Sequence, residues 1–461
     1  MKWLLPFALC LSPFTVTAQA VSQKLQTAFQ RFESDSQLRH AISSLYVIDA
    51  KTGEVVFDKN SQVGLAGAST QKIITAATAF ELLGKDYRYY TGMGYTGSSI
   101  YWTPSGDPTF GSWRYASTRP DKVFRDMADS LRKAGIKKVE DQFTIDDLPH
   151  FDDQNIPDGW IMQDIGNYYG AGSSRINWKE NQYDLNLEST RHANDYWFVD
   201  IVRDSSQRLP GDSFINKISA ASEGSGDNAY IYLPMEGRNY LVKGTIPRNE
   251  KKFKISGAIV NPEDCFINDF RNFLKKEGLV NGAANGTYHV AIKPRDVSGH
   301  IAWHSSPTLD SIVYWFLKKS INLYGEALIK TFANEKMSFG STDGGTAIVR
   351  KFWKEKGLDP EELNIYDGSG LSPLNRVTTH AQVEILKYAK AKDWFTYFYD
   401  ALPEYNGMKM KSGTISDVKG FCGYHKSKDG KEYIFSFLVN NYNGRTSGVV
   451  NKMYKVLDEL K

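Results

Sequence analysis

Ala66-Gly67-Ala68-Ser69-Thr70-Gln71-Lys72 opens a run that continues to Leu83, rich in Ala and Ile and almost wholly apolar. A helix that is apolar on every side belongs inside a core, so a buried helix is expected over 69–83. Ser69 and Lys72 stand three apart, which on a helix puts them on one face with about 5–6 Å between Cβ atoms. A lysine in its neutral form could there take the serine proton. Free backbone N–H groups at the helix start favour developing negative charge. Those are the needs of a nucleophile attacking a carbonyl.

Ser-x-x-Lys alone is a weak signal, and the chain contains two more: Ser130-Leu131-Arg132-Lys133 and Ser416-Asp417-Val418-Lys419. Ser130 falls on a polar, charge-rich helix and reads as solvated surface. Lys419 reads as lying in a turn between two strands. Far downstream, Ser320-Ile321-Asn322 sits between two helical stretches. Its hydroxyl could relay a proton and its carboxamide could both donate and accept, although a helix cap is the plain alternative. Lys411-Ser412-Gly413-Thr414 follows on a strand expected over 408–415. A cation, a hydroxyl and a glycine suit a carboxylate-binding strand edge, the glycine letting the substrate backbone approach. Strand alternation nominally puts Lys411 and Gly413 on one face and Ser412 and Thr414 on the other, so local twist or backbone contacts must intervene. Lys51-Thr52-Gly53 is a more literal Lys-Thr-Gly, but it reads as hairpin-turn chemistry.

The rest of the chain frames these motifs. Its 461 residues suggest two to three domains. Hydrophobic residues at 41% and charged residues at 24% suit a folded core rather than a disordered chain. A net charge of +3 offers no footprint for nucleic acid. The 8 His and 3 Cys form no ligand spacing, so neither a metal nor a cofactor is expected. Residues 1–20 read as a signal peptide: Lys2, an apolar run from Trp3 to Phe14, then Ala18-Gln19-Ala20. Cys10 leaves a lipoprotein as the alternative, though Ala8-Leu9 fits it poorly. The expectation is an exported, periplasmic protein with no transmembrane anchor. Cys265 and Cys422 would remain, as a disulfide or as two buried thiols. Helices are expected over 21–33, 309–323, 326–333, 344–356, 380–392 and 449–460. A hairpin is expected over 41–60, and strands over 408–415, 421–426 and 433–440. Between 87 and 292, short strand-like runs alternate with Gly, Asp, Asn and Pro turns, the mark of β-rich modules. The simplest architecture is an antiparallel sheet flanked by helices, made from both chain ends, with a large insertion.

A buried-helix Ser-x-x-Lys, a Ser-x-Asn and a strand-borne Lys-Ser/Thr-Gly, in that order, are far rarer together than apart. With Gly106-Asp107-Pro108, the turn from Gly224 to Tyr230, Gly244-Thr245-Ile246-Pro247 and Asp367-Gly368-Ser369-Gly370-Leu371-Ser372, the chain resembles the low-molecular-mass class C penicillin-binding proteins. That is the D-Ala-D-Ala carboxypeptidase/endopeptidase family, and the likeness spans roughly 40–460. It implies an α/β (α+β) transpeptidase/β-lactamase-like domain from 21–90 and 293–461, with two nested β-rich domains inserted at 91–292. It implies acyl transfer to Ser69, Lys72 as base and Ser320 as proton relay. Asn322 would hold the peptide, Lys411 would set the electrostatics, and Ser412, Gly413 and Thr414 would bind the carboxylate end. The N–H groups of Ser69 and Thr414 would form the oxyanion hole. Peptidoglycan stem peptides would be the substrates and β-lactams the inhibitors. Ser412 departs from the commoner threonine but keeps its hydroxyl. Trp160, Asp164 and Tyr169 resemble a segment with which some members grip the amine of a diaminopimelate side chain; read as plain structure, Trp160 and Tyr169 would be core of the insertion. A β-lactamase shares the trio, but no Glu-bearing deacylation loop is evident. A non-catalytic wall-binding protein would be expected to show a broken trio.

Overall fold

The structure is a computed structural model and describes residues 13–96, 99–140, 142–147, 150–191, 197–202, 213–280, 288–291 and 299–461. The chain divides into two compact units. The first comprises Met1–Ile74, Leu358–Asn364 and Arg376–Lys461, and the second Thr75–Gly357 and Ile365–Asn375. Most of the expected signal peptide lies outside the described residues. A helix runs over Pro13–Glu33, starting ahead of the expected 21–33.

The first unit is built on a six-stranded sheet in the order Glu404–Tyr405, Met408–Ile415, Val418–Lys426, Glu432–Asn440, Ile42–Asp49, Val55–Lys59. Every pairing is antiparallel. The two central strands join the ends of the chain, with Ile42 opposite Asn440 and Asp49 opposite Tyr433. Both are buried along almost their whole length, which is why they read as continuous apolar runs rather than as clean alternation. On one face Phe435, Phe437 and Val439 meet Leu25, Phe29 and Phe32 of the first helix and Val449 and Met453 of the helix Thr446–Leu457. The alternate residues meet the helix Thr379–Lys390, where polar pairs tie the layers. Ser44 Oγ lies 2.6 Å from Thr379 Oγ1, and Ser436 Oγ donates to Gln382 Oε1 at 2.6 Å. The expected antiparallel sheet flanked by helices and made from both chain ends is therefore present.

The second unit holds three packed helices, Leu309–Lys318, Asn322–Met337 and Thr342–Glu355. The first ends at Lys318, short of the expected Leu323, because Ser320 takes a left-handed backbone with φ 57° and breaks the run. A five-stranded sheet in the order Tyr288–Ala291, Phe143–Asp146, Ser99–Thr103, Tyr90–Thr96, His300–Ser305 packs on the helices Pro120–Lys133 and Pro262–Lys276. The second of these helices was not anticipated. Its signals were present: Asn261 as cap, Pro262 at the first position, and Phe266, Ile267, Phe270 and Leu274 on one face. Two three-stranded sheets, spanning Gln182 to Ala258 in sequence, share a core of Leu185, Leu187, Val242, Ile246 and Ile255. In chain order they fall between the Phe143–Asp146 and Tyr288–Ala291 strands of the larger sheet.

Phe437 is 0% exposed, and its ring centroid lies 5.7 Å from Phe29 and 5.1 Å from Phe32. Phe437→Ala should cost about 3–5 kcal/mol of unfolding free energy, read as a lower urea midpoint at unchanged slope. A shift worth under about 1 kcal/mol would contradict this placement of the core.

Candidate active site

Ser69 lies in a single 3-10 turn, Ala68–Gln71, which leads into the α-helix Lys72–Leu83. Lys72 is 0% exposed, and its Nζ donates to Ser69 Oγ at 2.9 Å. The three-residue spacing has thus produced the expected contact. The residue before the serine, Ala68, sits at φ 46°, a left-handed conformation that costs an L-residue free energy. It persists because the surroundings over-determine the turn. Asn440, at the end of its strand, clamps Ala66 at both groups: Ala66 N donates to Asn440 Oδ1 at 2.9 Å, and Asn440 Nδ2 donates to Ala66 O at 3.0 Å. Leu65 and Val377 exchange two backbone bonds. Thr70 Oγ1 donates to Gly67 O at 2.6 Å and accepts from Gln382 Nε2 at 2.8 Å. Since Ser436 holds the other end of Gln382, one chain of bonds runs from the sheet to the serine turn.

The strand Met408–Ile415 lies against this turn. A Cβ on Gly413 would fall 2.4 Å from Gly67 O and 2.8 Å from Thr70 N. The glycine is therefore required first by the protein's own backbone, where the sequence had suggested room for a substrate backbone. Lys411 and Gly413 face inward, while Ser412 is half-buried and Thr414 exposed. This is how the strand resolves the conflict in its alternation. Glu404–Tyr405 pairs only with Met408 and Lys409, and Met410 N donates to Pro403 O at 3.0 Å, so from Lys411 onward the outer edge carries no strand partner among the described residues. An open edge of that kind can accept an extended peptide.

Lys411 is 1% exposed and its Nζ donates to Ser412 O at 2.8 Å. Burial, reinforced by Lys72 and to a lesser degree by Lys419, holds it well below the usual lysine range. Two facing lysines in a dry site repel when both are charged, so a neutral form becomes accessible without an acidic partner. Lys419 is a correction to the sequence reading. It lies not in a turn but in the strand Val418–Lys426, directly opposite Thr414. The hairpin spends only Ser416 and Asp417 on its turn, Asp417 taking φ 55°. Lys419 is 7% exposed, its Nζ donates to Thr414 Oγ1 at 2.8 Å, and burial lowers its pKa to about 8.

Ser320 and Asn322 belong to the second unit, where Asn322 begins the helix Asn322–Met337. Asn322 Nδ2 donates to Tyr169 O at 2.7 Å, and Tyr169 OH donates to Asp164 Oδ1 at 3.4 Å. Burial raises the Asp164 pKa, partly offset by that hydroxyl. Trp160 and Tyr169 are half-buried rather than core. Trp160 Nε1 donates to Asp367 Oδ2 at 2.9 Å, and Asp367 also accepts from Gly370 N, Ser372 N and Asn375 Nδ2. The literal Lys51-Thr52-Gly53 is turn chemistry, with Gly53 at φ 77°. Ser130 Oγ is spent on Asp126 O. Cys265 and Cys422 are both free thiols.

A serine hydroxyl in contact with a buried lysine, set beside an open strand edge, has the parts of an activated nucleophile. The chain belongs to the D-Ala-D-Ala carboxypeptidase 3 (S13) family, whose model matches residues 25–404. A D-alanyl-D-alanine carboxypeptidase from Actinomadura sp. (strain R39) is 25% identical over 442 residues, covering 89% of this chain and 80% of the relative. The D-alanyl-D-alanine carboxypeptidase DacB of Haemophilus influenzae is 21% identical over 419 residues, covering 84% and 83%. The crystal structure of penicillin binding protein 4 from H. influenzae matches with a TM-score of 0.77 at 19% identity, covering 96% of this chain and 98% of that one. The transpeptidase-like α/β fold expected from the motifs is thereby shown. Among the described residues no helix is long and apolar enough to cross a membrane.

Gly413→Ala tests the contact between strand and serine turn. The atoms it meets are backbone, so the serine must move. A displacement of about 1 Å should slow turnover of a D-Ala-D-Ala-terminated peptide roughly 100-fold. Wild-type turnover in this variant would show that the contact does not position Ser69.

Proposed function

We propose that this serine D-Ala-D-Ala carboxypeptidase acts on peptidoglycan stem peptides, as exopeptidase, endopeptidase or both, and that β-lactams acylate it at Ser69. The observation that carries the reading is the 2.9 Å bond from the buried Lys72 Nζ to Ser69 Oγ. Ser69 Oγ attacks the carbonyl carbon of the scissile D-Ala bond as its proton passes to Lys72. Backbone N–H groups of Ser69 and Thr414 receive the oxyanion, each such donor being worth about 2.7–4 kcal/mol. Collapse breaks the C–N bond, and the proton returns through Ser320 to the leaving amine. Water then attacks the ester and frees Ser69. Asn322 orients the peptide amide. Lys411 supplies the field, and Ser412 and Thr414 hold the terminal carboxylate.

Asp164 and Tyr169 recognise a side-chain ammonium on the stem peptide. The support is a half-buried carboxylate with a raised pKa, a tyrosine hydroxyl on one oxygen, and no cation in ion-pair reach among the described residues. Catalytic residues are drawn from 21–90 and 293–461, with 91–292 as nested insertions. The nesting of the two smaller sheets within the five-stranded one supports two nested insertions, although the outer sheet runs on to His300–Ser305, past 292. Residues 1–20 direct export, and the enzyme works in the periplasm.

Ser69→Ala should abolish the covalent penicillin adduct and lower turnover on the order of 10⁶-fold. Ser130→Ala and Ser416→Ala should keep the adduct. An adduct on Ser69→Ala, read by mass spectrometry with peptide mapping, would refute the assignment. Acylation should also weaken as pH falls. Lys411 has a lowered pKa and is neutral at the upper end; gaining a proton on acidification, it sets a second cation beside Lys72 and competes with the transfer from Ser69. A flat acid limb in the pH–rate profile would contradict this.

A further inference from the structure

Lys419 stands out among the residues that the general mechanism leaves unused. It is 7% exposed, yet it forms no ion pair with any described carboxylate. A buried cation without an anion is costly, and such groups are normally paired. Its ammonium is held at 4.6 Å over the Phe421 ring and 2.8 Å from Thr414 Oγ1. Thr414 is exposed at the open strand edge. The direction of that bond matters. The ammonium occupies a lone pair of Thr414 Oγ1, so the threonine O–H must donate elsewhere, and the open side is outward. A donor hydroxyl backed by a cation is an anion subsite.

The other charges support this. Lys411, next to Ser412, is pushed toward its neutral form by burial, by Lys72 and to a lesser degree by Lys419, which leaves Lys419 as the ammonium at the strand edge. Asp417 is the acid nearest in sequence, but it sits exposed in the hairpin turn and makes no ion pair with Lys419. Thr414 and Phe421, the partners on the same sheet face, are uncharged.

We propose that Lys419 is a second carboxylate anchor, acting with Thr414 to receive the free terminal carboxylate of the peptide that Ser69 attacks. The inference rests on the peptidase reading above and names the group that would select for a free carboxyl end. The ammonium form is the one that binds. With a pKa lowered to about 8, that form is lost as pH rises through the mildly alkaline range, and a bound carboxylate would restore it.

The test uses the full-length enzyme and two peptides, one ending in D-Ala-D-Ala with a free carboxylate and the same peptide with a C-terminal carboxamide. Lys419→Met should lower kcat/KM for the free acid roughly 10- to 100-fold, the worth of one hydrogen bond to a charged group. It should leave the carboxamide unchanged. Lys419→Arg should restore most of the loss and abolish the alkaline decline that the wild type shows on the free acid, because arginine keeps its proton. An equal loss on both peptides would mark Lys419 as structural and overturn the proposal. So would no loss on the free acid, or an alkaline limb that persists in Lys419→Arg. Should the wild type hydrolyse neither peptide and take no penicillin at Ser69, the peptidase reading itself falls. A wild type active on the free acid but indifferent to position 419 sinks only the anchor.

Discussion

The Lys72–Ser69 hydrogen bond, 2.9 Å between a fully buried lysine and a half-buried serine, is the interaction on which the site depends. Within the heptapeptide Thr70 bonds back to Gly67 O, but that alone does not hold it there. The turn carries a left-handed alanine, and a short 3-10 segment has poorer hydrogen-bond geometry than an α-helix. What holds it is the sheet. Asn440 grips Ala66 from the end of a central strand, Gln382 relays Ser436 to Thr70, and Gly413 allows the edge strand to lie against Gly67. Each of these comes from the last quarter of the chain. The serine turn is therefore assembled only when the first two strands close onto the last four.

That closure also explains the electrostatics. Lys72, Lys411 and Lys419 are all buried in one unit, and two of them depress Lys411. Burying ammonium groups opposes folding. The apolar face of the same sheet, with Phe29, Phe32, Phe435 and Phe437 packed against the two terminal helices, supplies the offsetting stability. The core and the serine turn occupy opposite faces of one sheet, while Lys419 and Thr414 lie on the core side at its edge. Strand alternation separates them cleanly along Glu432–Asn440: Phe435, Phe437 and Val439 look to the core helices, and Ser436 looks to the helix that steadies the serine turn.

How much of this was legible in the sequence follows from the range of each interaction. The Ser69–Lys72 contact was legible because it is local, three residues on one turn. The segment Lys411 to Thr414 was legible as one strand because its residues are contiguous. The sheet, its two-ended construction and its closing helix were read from apolar runs, and the strand 408–415 was placed to the residue. Lys419 was missed because its role is a cross-strand pairing. The strand's start had been set at Phe421, three residues late, and a hairpin turn of only two residues was not recognised. Asn440 and Gln382 were invisible for the same reason: each acts across more than 300 residues of chain. The use of Gly413 was read in part. A close backbone approach was expected there, but the backbone that approaches is Gly67.

Lys419 and Gly413 together show how one edge strand can serve two masters. On its inward face the strand must come within bare van der Waals reach of the serine turn, and only glycine permits that. On its outward face, in the proposed anchor, it would present donors to a charged peptide end, and a threonine hydroxyl by itself has no fixed direction. The lysine on the neighbouring strand resolves this by taking up the acceptor side of the hydroxyl. Orientation of the hydroxyl, and in the proposed anchor neutralisation of the incoming carboxylate, would then come from the same atom. This arrangement needs the lysine to be dry enough to hold its position, and the cost of that dryness is a proton held less tightly than on an exposed lysine. Positional order at the strand edge and sensitivity to alkaline pH are thus two consequences of a single buried side chain.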